Sequence, residues 1–232
     1  DIQDGLTTTG AVLTLSTKEP SVVANDVLGR INFQAPLDTG LDSDLVSASI
    51  HAEAQTTFSD TVNQTSIVFS TGASETATEK VRITSGGKLG IGVSTVEAPL
   101  HVKHDGANAT MILESTEAGA TGAPDLVLRR SSSTPANDDV IGNISFNGID
   151  DNDDEETFVS IVGQMADVAD ASIDGRLKIY IKEGGSSSAH VIEIAEGTFA
   201  IRERAAVGAL DTNTAMGRIW VKSDSPNNLY FT

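Results

Sequence analysis

An internal repeat constrains the fold of this chain more than any other feature of its sequence. When the sequence is shifted by 113 positions, residues 13–53 (41 positions) show 10 identities in one unbroken register. Residues 26–33 then align with residues 139–146. Beyond this region the offset falls stepwise to 110, as expected where loops lose residues and strands keep their length. The sequence therefore predicts two copies of one module.

Alternation of apolar and polar residues predicts that each copy is built of strands. In the first copy, Val46, Ala48 and Ile50 alternate with Ser47 and Ser49, which is the period of a strand with one buried face. Turn signals separate further apolar runs at Gly86-Gly87 in the first copy and at Glu196-Gly197 in the second. Because no long stretch has a helical period with caps, we expect strands and turns almost throughout.

The same signals predict hairpins in the middle and at the end of the chain. Residues 100–102 and 111–113 flank one turn sequence, and residues 219–221 and 229–231 flank another. The predicted divisions are a β repeat module at 1–97, a connecting hairpin at 98–116, a second module at 117–205 and a C-terminal β-hairpin segment at 206–232. The predicted fold class is all-β, with two duplicated antiparallel β modules joined by hairpins in an extended, intertwined homotrimer.

Net charge limits the partners that such a chain can have. The 232 residues include 33 Asp and Glu against 15 Lys and Arg, which gives a net charge of -18. A protein that grips a phosphate backbone needs clustered basic residues, so nucleic acid is not an expected partner. Insertion into a membrane is not expected either, because no apolar run reaches about 18 residues. The sequence has no cysteine, which excludes disulfides and thiolate chemistry.

The type of apolar residue indicates how the core is completed. Hydrophobic residues make up 39% of the chain but aromatic residues only 4%, so the apolar content is mostly Ala, Val, Ile and Leu. Such a set suits thin layers or packing between subunits better than a thick core. Many short strands also leave unpaired edges, and intertwined chains would satisfy those backbone groups. Both considerations favour self-association.

Three sequence motifs indicate a relationship to known proteins. They are the D-x-x-G-x-I-x-F strand, residues 79–102 (EKVRITSGGKLGIGVSTVEAPLHV) and residues 219–232 (IWVKSDSPNNLYFT). These motifs resemble the repeats of tail-fibre and other appendage proteins of tailed bacteriophages, in particular those of marine and cyanobacterial phages. The second motif departs from the usual form, since Glu97-Ala98-Pro99 stands where Ser-Pro usually precedes Leu-His-Val. The resemblance implies a stiff, non-enzymatic, homotrimeric fibre of the virion. The implied partners are copies of the chain and other fibre or tail proteins, and host attachment is left open.

The densest acidic run is the main candidate for a metal site. Asp150, Asn152 and Asp154 have the first, third and fifth positions of a calcium-binding loop. Position six is Glu155 where such a loop needs glycine, and position twelve is Ile161 where it needs a bidentate Glu. A solvated hairpin loop is therefore the favoured interpretation, with a calcium site of another kind as the alternative.

Aromatic residues gather near the end of the chain. Trp220, Tyr230 and Phe231 are candidates for a platform that binds a host cell-surface glycan, although a hairpin that closes the end of a trimer is the favoured interpretation. No G-x-S-x-G elbow is present, so we expect no catalytic residues, and no motif indicates a cofactor. Two other functions stay open at this stage: a subunit of a bacterial extracellular filament assembled by strand exchange, and a carbohydrate-binding adhesin domain.

Overall fold

The computed structural model of the chain describes residues 10–35, 42, 44–107, 109–183, 186–204, 219–222 and 228–231, with the backbone alone for 186–190 and for the strands after residue 202. The strands are β1 (Val27–Gln34), β2 (Val46–Ala54), β3 (Thr65–Thr71), β4 (Thr78–Ile83), β5 (Leu89–Ile91), β6 (Leu100–Val102), β7 (Val140–Ile149), β8 (Glu155–Asp167), β9 (Asp174–Glu183), β10 (Ser186–Ala195), β11 (Thr198–Ile201), β12 (Glu203–Arg204), β13 (Ile219–Lys222) and β14 (Asn228–Phe231). The chain is all-β, as predicted. Within the described ranges no helix is present that could cross a membrane.

The chain divides into two compact units, Asp1–Glu114 and Ser115–Thr232. In the first unit, β1 to β6 form one sheet in chain order, antiparallel except for the parallel pair β5 and β6. In the second unit, β7 to β11 form a five-stranded antiparallel meander. A small separate sheet joins β12 and β13 in parallel, and β13 and β14 as the predicted C-terminal hairpin.

The duplication seen in the sequence is confirmed by the sheets, since β1 to β5 and β7 to β11 have the same meander topology. The irregularities also match. The β1–β2 register shifts between Val27 and Gly29 and again after Phe33, and the β7–β8 register shifts between Val140 and Gly142 and again after Phe146. Bulges at equivalent positions in both copies indicate a retained structural feature.

The entry into each sheet is also repeated. Asn25 and Asp138, which are equivalent in the repeat, both have positive φ angles, 73° and 68°. The next residue is aspartate in both copies. Asp26 Oδ2 accepts a hydrogen bond of 2.7 Å from the backbone N–H of Val23, and Asp139 Oδ2 accepts one of 3.0 Å from that of Ala136. The aspartate of the D-x-x-G motif therefore closes the turn before the first strand of each sheet.

The two predicted tight turns are present. Ile83 pairs with Leu89 across the turn that contains Gly86-Gly87, where Gly87 has a φ of 73°. Ala195 pairs with Thr198 across Glu196-Gly197, and both turn residues have positive φ, 50° and 72°. Two positive φ angles in a two-residue hairpin loop define a type I′ turn, whose twist matches that of the flanking strands.

The predicted pairing of residues 100–102 with residues 111–113 is wrong. Residues 100–102 do form a strand, β6, but it pairs in parallel with β5. Residues 111–113 form no strand. The reason is that β5 competes as a partner. Only eight residues connect β5 to β6, and the returning chain pairs with the free edge of β5. The boundary between the two units falls inside the segment 98–116.

Few apolar side chains are buried within the described part of either unit. The buried ones are Ala54, Val68 and Val162, whereas large apolar side chains on most strands are more than a third exposed. The described part of the chain therefore has thin sheets without a thick apolar core, as the sequence predicted. Within the described residues, much of the apolar side of each sheet is exposed.

Candidate functional site

The first sheet carries a continuous apolar face. Cross-strand partners in a sheet project to the same side, so each register row can be read as one line of side chains. One row contains Ile31, Ile50, Phe69, Val81, Ile91 and Val102, and the next contains Gly29, Ala52, Ile67, Ile83, Leu89 and Leu100. Neither row contains a charged residue. Ile67 and Ile83, in the middle of the sheet, are 42% and 41% exposed.

The second sheet repeats this arrangement. One row contains Ile144, Ile161, Ile179, Ile192 and Ile201, and the next contains Gly142, Gly163, Leu177, Ile194 and Phe199. These rows are also free of charge, and Ile194 and Phe199 are exposed. Isolated apolar residues at a surface need no explanation, but contiguous apolar rows across five strands mark an interaction surface. We call these two surfaces the apolar faces.

The opposite side of the first sheet is polar and closely packed. Between the two apolar rows runs a row that contains Arg30, His51, Val68, Arg82, Gly90 and His101. Arg82 is the centre of an ion-pair cluster: its Nε and Nη2 each donate to Glu79 at 2.6 Å, and Nη2 donates to Glu53 at 3.2 Å. These charge-assisted hydrogen bonds raise the pKa of Arg82. The cluster links β4 to β2 across the intervening strand β3.

His51 is a buried titratable group on this polar side. Its side chain is 7% exposed, its Nδ1 has no hydrogen-bond partner in the described part of the chain, and its Nε2 lies 3.8 Å from Glu53 Oε2. Burial lowers the pKa of His51 below the ordinary 6.5, and the positive charge of Arg30 acts in the same direction, against the effect of Glu53. The ring is therefore held in its neutral form.

The motif at residues 79–102 forms a compact structural unit. After β5 the chain returns across the polar side of the sheet, where a Cβ atom on Gly90 would lie 2.6 Å from Val96 Cγ2. Lys88 Nζ donates to the carbonyl oxygens of Val96 and Glu97 at 3.2 and 3.1 Å and so fixes the returning loop. The glycines of this motif allow close backbone packing, and no helix follows them as a phosphate-binding loop would require.

The acidic run at residues 150–154 is the hairpin loop between β7 and β8. Asp150 Oδ1 accepts hydrogen bonds from the backbone N–H groups of Asn152 and Asp154 at 2.9 and 3.0 Å. These bonds lower the pKa of Asp150, first through Asp154 and then through Asn152. No grouping of three or more acidic or histidine side chains able to hold a metal occurs in the described ranges. The calcium site stays a prediction.

The three aromatic candidates lie on the C-terminal hairpin. Trp220 and Tyr230 are direct register partners in β13 and β14, and Phe231 pairs with Ile219. The predicted hairpin thus brings Trp220 and Tyr230 together along the backbone. Their side chains lie outside the described part of the structure, so glycan binding stays a prediction.

Sequence reasoning identified the alternating strands but missed the apolar faces as surfaces. The signal was present in the positions of Ile50, Phe69 and Val81, whose parity places them on one side of their strands. Which of them stand side by side depends on register, and register becomes known only when the strands are paired. The Arg82 cluster was missed for the same reason.

The described part of the chain thus combines an all-β fold with exposed apolar faces on two meander sheets. Two solved structures that share its fold are tail-fibre domains. One is the carboxy-terminal domain of the bacteriophage T5 L-shaped tail fibre, with a TM-score of 0.68 and 14% identity, covering 93% of this chain and 96% of that domain.

Another is the same bacteriophage T5 domain with its intramolecular chaperone domain, with a TM-score of 0.67 and 14% identity. That match covers 94% of this chain and 64% of the longer one. No protein-family model matches the sequence, and no curated protein matches it significantly. At this level of identity the likeness shows the fold, and the fold expected from the sequence resemblance is confirmed.

Proposed function

We propose that this protein is a non-enzymatic structural component of a phage virion fibre, located in the extracellular appendage of the virion. The observation that carries the proposal is the fold, which matches a T5 tail-fibre domain over nearly the whole of both chains. The motif resemblance at residues 79–102 and 219–232 points independently to the same class of protein. The marine and cyanobacterial type of repeat is the finer part of this proposal and rests on those motifs alone.

The proposed working form is a homotrimer in which the apolar faces of three chains meet. Large apolar side chains on both faces are exposed in the single chain, among them Ile67 at 42%, Ile83 at 41% and Phe199 at 61%. Apolar surface of this extent is stabilised by removal from water, at about 25 cal/mol per Å². Copies of a chain with a net charge of -18 repel each other. They can approach most easily through their uncharged faces. The function is reach and rigidity, with other fibre or tail proteins as further partners.

Light scattering on the intact chain tests the homotrimer. The expected mass is about 72 kDa, three times the chain mass of 24.1 kDa, at concentrations down to the micromolar range. A well-folded monomer of 24.1 kDa would contradict the proposal. Electron microscopy of the same sample distinguishes it from the filament alternative, because a filament subunit would form open helical polymers instead of discrete particles.

Host attachment is a separate, finer proposal. If the protein contacts a host glycan, we infer that the C-terminal hairpin does so, because Trp220, Tyr230 and Phe231 are 3 of the 10 aromatic residues of the chain. A glycan array probed with the intact protein should then give hits that Trp220→Ala abolishes. An array without hits would contradict glycan binding by the hairpin.

A further inference from the structure

The two sheets share a feature that lies on their apolar faces. Before each sheet the chain runs through a segment that forms no strand: the first arm, residues 12–19, and the second arm, residues 125–132. The two arms are equivalent in the repeat. Their apolar residues are exposed, with Leu13 at 62% and Leu126 at 61%. Exposed leucines at matched positions in both copies call for a common explanation.

Each arm crosses its own apolar face at a glycine. A Cβ atom on Gly29 would lie 2.6 Å from Leu15 Cβ, and one on Gly142 would lie 2.8 Å from Leu128 Cβ. Real Cβ atoms do not approach so closely, so any larger residue at either position would displace the arm. Gly29 and Gly142 occupy the same place in the D-x-x-G motif. The motif therefore has glycine at this position because the arm passes too close for a Cβ atom.

Each arm is also anchored at the turn that follows it. In the first unit, Asn25 N–H donates to Ala54 O at 2.7 Å and Ala54 N–H donates to Asp26 O at 2.9 Å. In the second unit, Asp138 N–H donates to Met165 O at 2.8 Å and Met165 N–H donates to Asp139 O at 2.9 Å. These paired bonds fix where each arm leaves the sheet. The arm is therefore held over one edge of the face, with Leu13 and Leu126 exposed.

We propose that each arm is clamped between its own sheet and a second copy of this chain, so that arm and apolar face together form one contact surface. A second copy is the occupant that the observations favour, since both units carry the same device and both faces are uncharged in a chain of net charge -18. A neighbouring copy would remove the exposed leucines of the arms and the exposed apolar rows from water together.

Thiol labelling tests the clamp, because the chain has no cysteine of its own. Leu13→Cys and Leu126→Cys place a thiol on each arm. Ser145→Cys, an exposed position on the polar side of β7, is the control and differs from serine by one atom. In the assembled protein the arm thiols should react with a water-soluble maleimide about ten-fold more slowly than the control, and in urea all three should react alike.

Because this inference rests on the proposed self-association, mass and labelling are measured on the same samples. Arm thiols that react as fast as the control in a 72 kDa particle, about three chains, would overturn the clamp and leave the trimer standing. A monomer would overturn both. Arm thiols protected in a monomer would mean that the arm is covered by its own chain, which also overturns the clamp.

A matched pair of glycine variants gives a second, independent test. Gly29 lies on the first apolar face, whereas Gly86 is exposed in the turn between β4 and β5, where a Cβ atom would meet only Thr84 Oγ1, at 3.9 Å. Gly29→Ala should displace the first arm and raise the concentration for half-dissociation about ten-fold or more. Gly86→Ala should change it by less than about three-fold. Equal effects of the two variants would contradict the clamp.

Discussion

Gly90 lies directly beneath Val96: a Cβ atom on Gly90 would come within 2.6 Å of Val96 Cγ2 and 2.8 Å of the Val93 carbonyl oxygen. The loop after β5 returns over this position before β6 pairs with β5. The absence of a side chain at residue 90 is therefore what permits a parallel pair joined by only eight residues, where parallel strands ordinarily need a connection of about a dozen or more.

Substitution of Gly90 should destabilise the first unit. Gly90→Ala places a methyl group against the backbone and side chain of the returning loop, and such overpacking costs about 1–3 kcal/mol. The measurement is the urea midpoint at a fixed chain concentration, since association shifts apparent stability. Gly86→Ala is the matched control, because its Cβ atom would meet only Thr84 Oγ1, at 3.9 Å. Equal losses for the two variants would refute the close approach.

Removal of the Arg82 side chain should lower the free energy of unfolding more than removal of Lys182, which pairs with a more exposed glutamate. Arg82→Met leaves Glu53 and Glu79 without their shared cation on the packed side of the sheet, and we expect a loss of about 2–4 kcal/mol in the free energy of unfolding. Lys182→Met removes a cation that pairs with Glu156, whose side chain is 39% exposed, and should cost about 0–1 kcal/mol. Chemical denaturation of both variants measures the difference. A loss for Arg82→Met no larger than for Lys182→Met would show that the cluster adds little stability.

Acidification should weaken the first unit through His51. Because the pKa of His51 is lowered in the folded chain, the unfolded chain binds the proton first as the pH falls. The contribution of His51 to stability is therefore full above the ordinary pKa of 6.5 and decreases as the pH falls from there towards the lowered value. The charged groups that face the ring are Arg30, Glu53 and Glu79. Urea midpoints measured from about pH 5.5 to 8 should show this slope.

The matched variant for the pH effect is His51→Asn, which keeps a polar side chain but does not titrate. Between about pH 5.5 and 8, the urea midpoint of this variant should change less than that of the unmodified chain. The difference between the two changes is the contribution of His51. An NMR titration of the His51 ring gives the pKa directly. A value at or above 6.5 would contradict the effect of burial.

A charge on an apolar face should block assembly without unfolding the sheet. Ile144 and Asn143 are neighbours on β7 that project to opposite sides, and both are exposed in the single chain. Ile144→Glu should shift the mass from trimer to monomer, since burial of an unpaired carboxylate costs several kcal/mol per copy, in the range of roughly 2–5. Asn143→Glu should leave the mass unchanged. Circular dichroism checks that both variants keep their strands.

Many elements of the fold could be predicted from the sequence. The repeat predicted two equivalent modules, the Gly86-Gly87 and Glu196-Gly197 signals predicted tight turns, and the C-terminal alternation predicted a hairpin. These features depend on local chemistry: side-chain period, positive φ and turn length act over a few residues. The pairing of 100–102 with 111–113 failed because a strand of three residues has no local preference between two available partners.

The sequence by itself therefore determined that this protein is all-β, duplicated, acidic and poor in aromatic residues. Only the tertiary structure decided that Ile50, Phe69 and Val81 form one line, that Leu15 crosses Gly29 and that Arg82 joins Glu53 to Glu79. Register and close approach bring together residues that are distant along the chain, and a change of register by one residue would send each side chain to the other face. The apolar faces form because this register places the apolar side chains of neighbouring strands side by side.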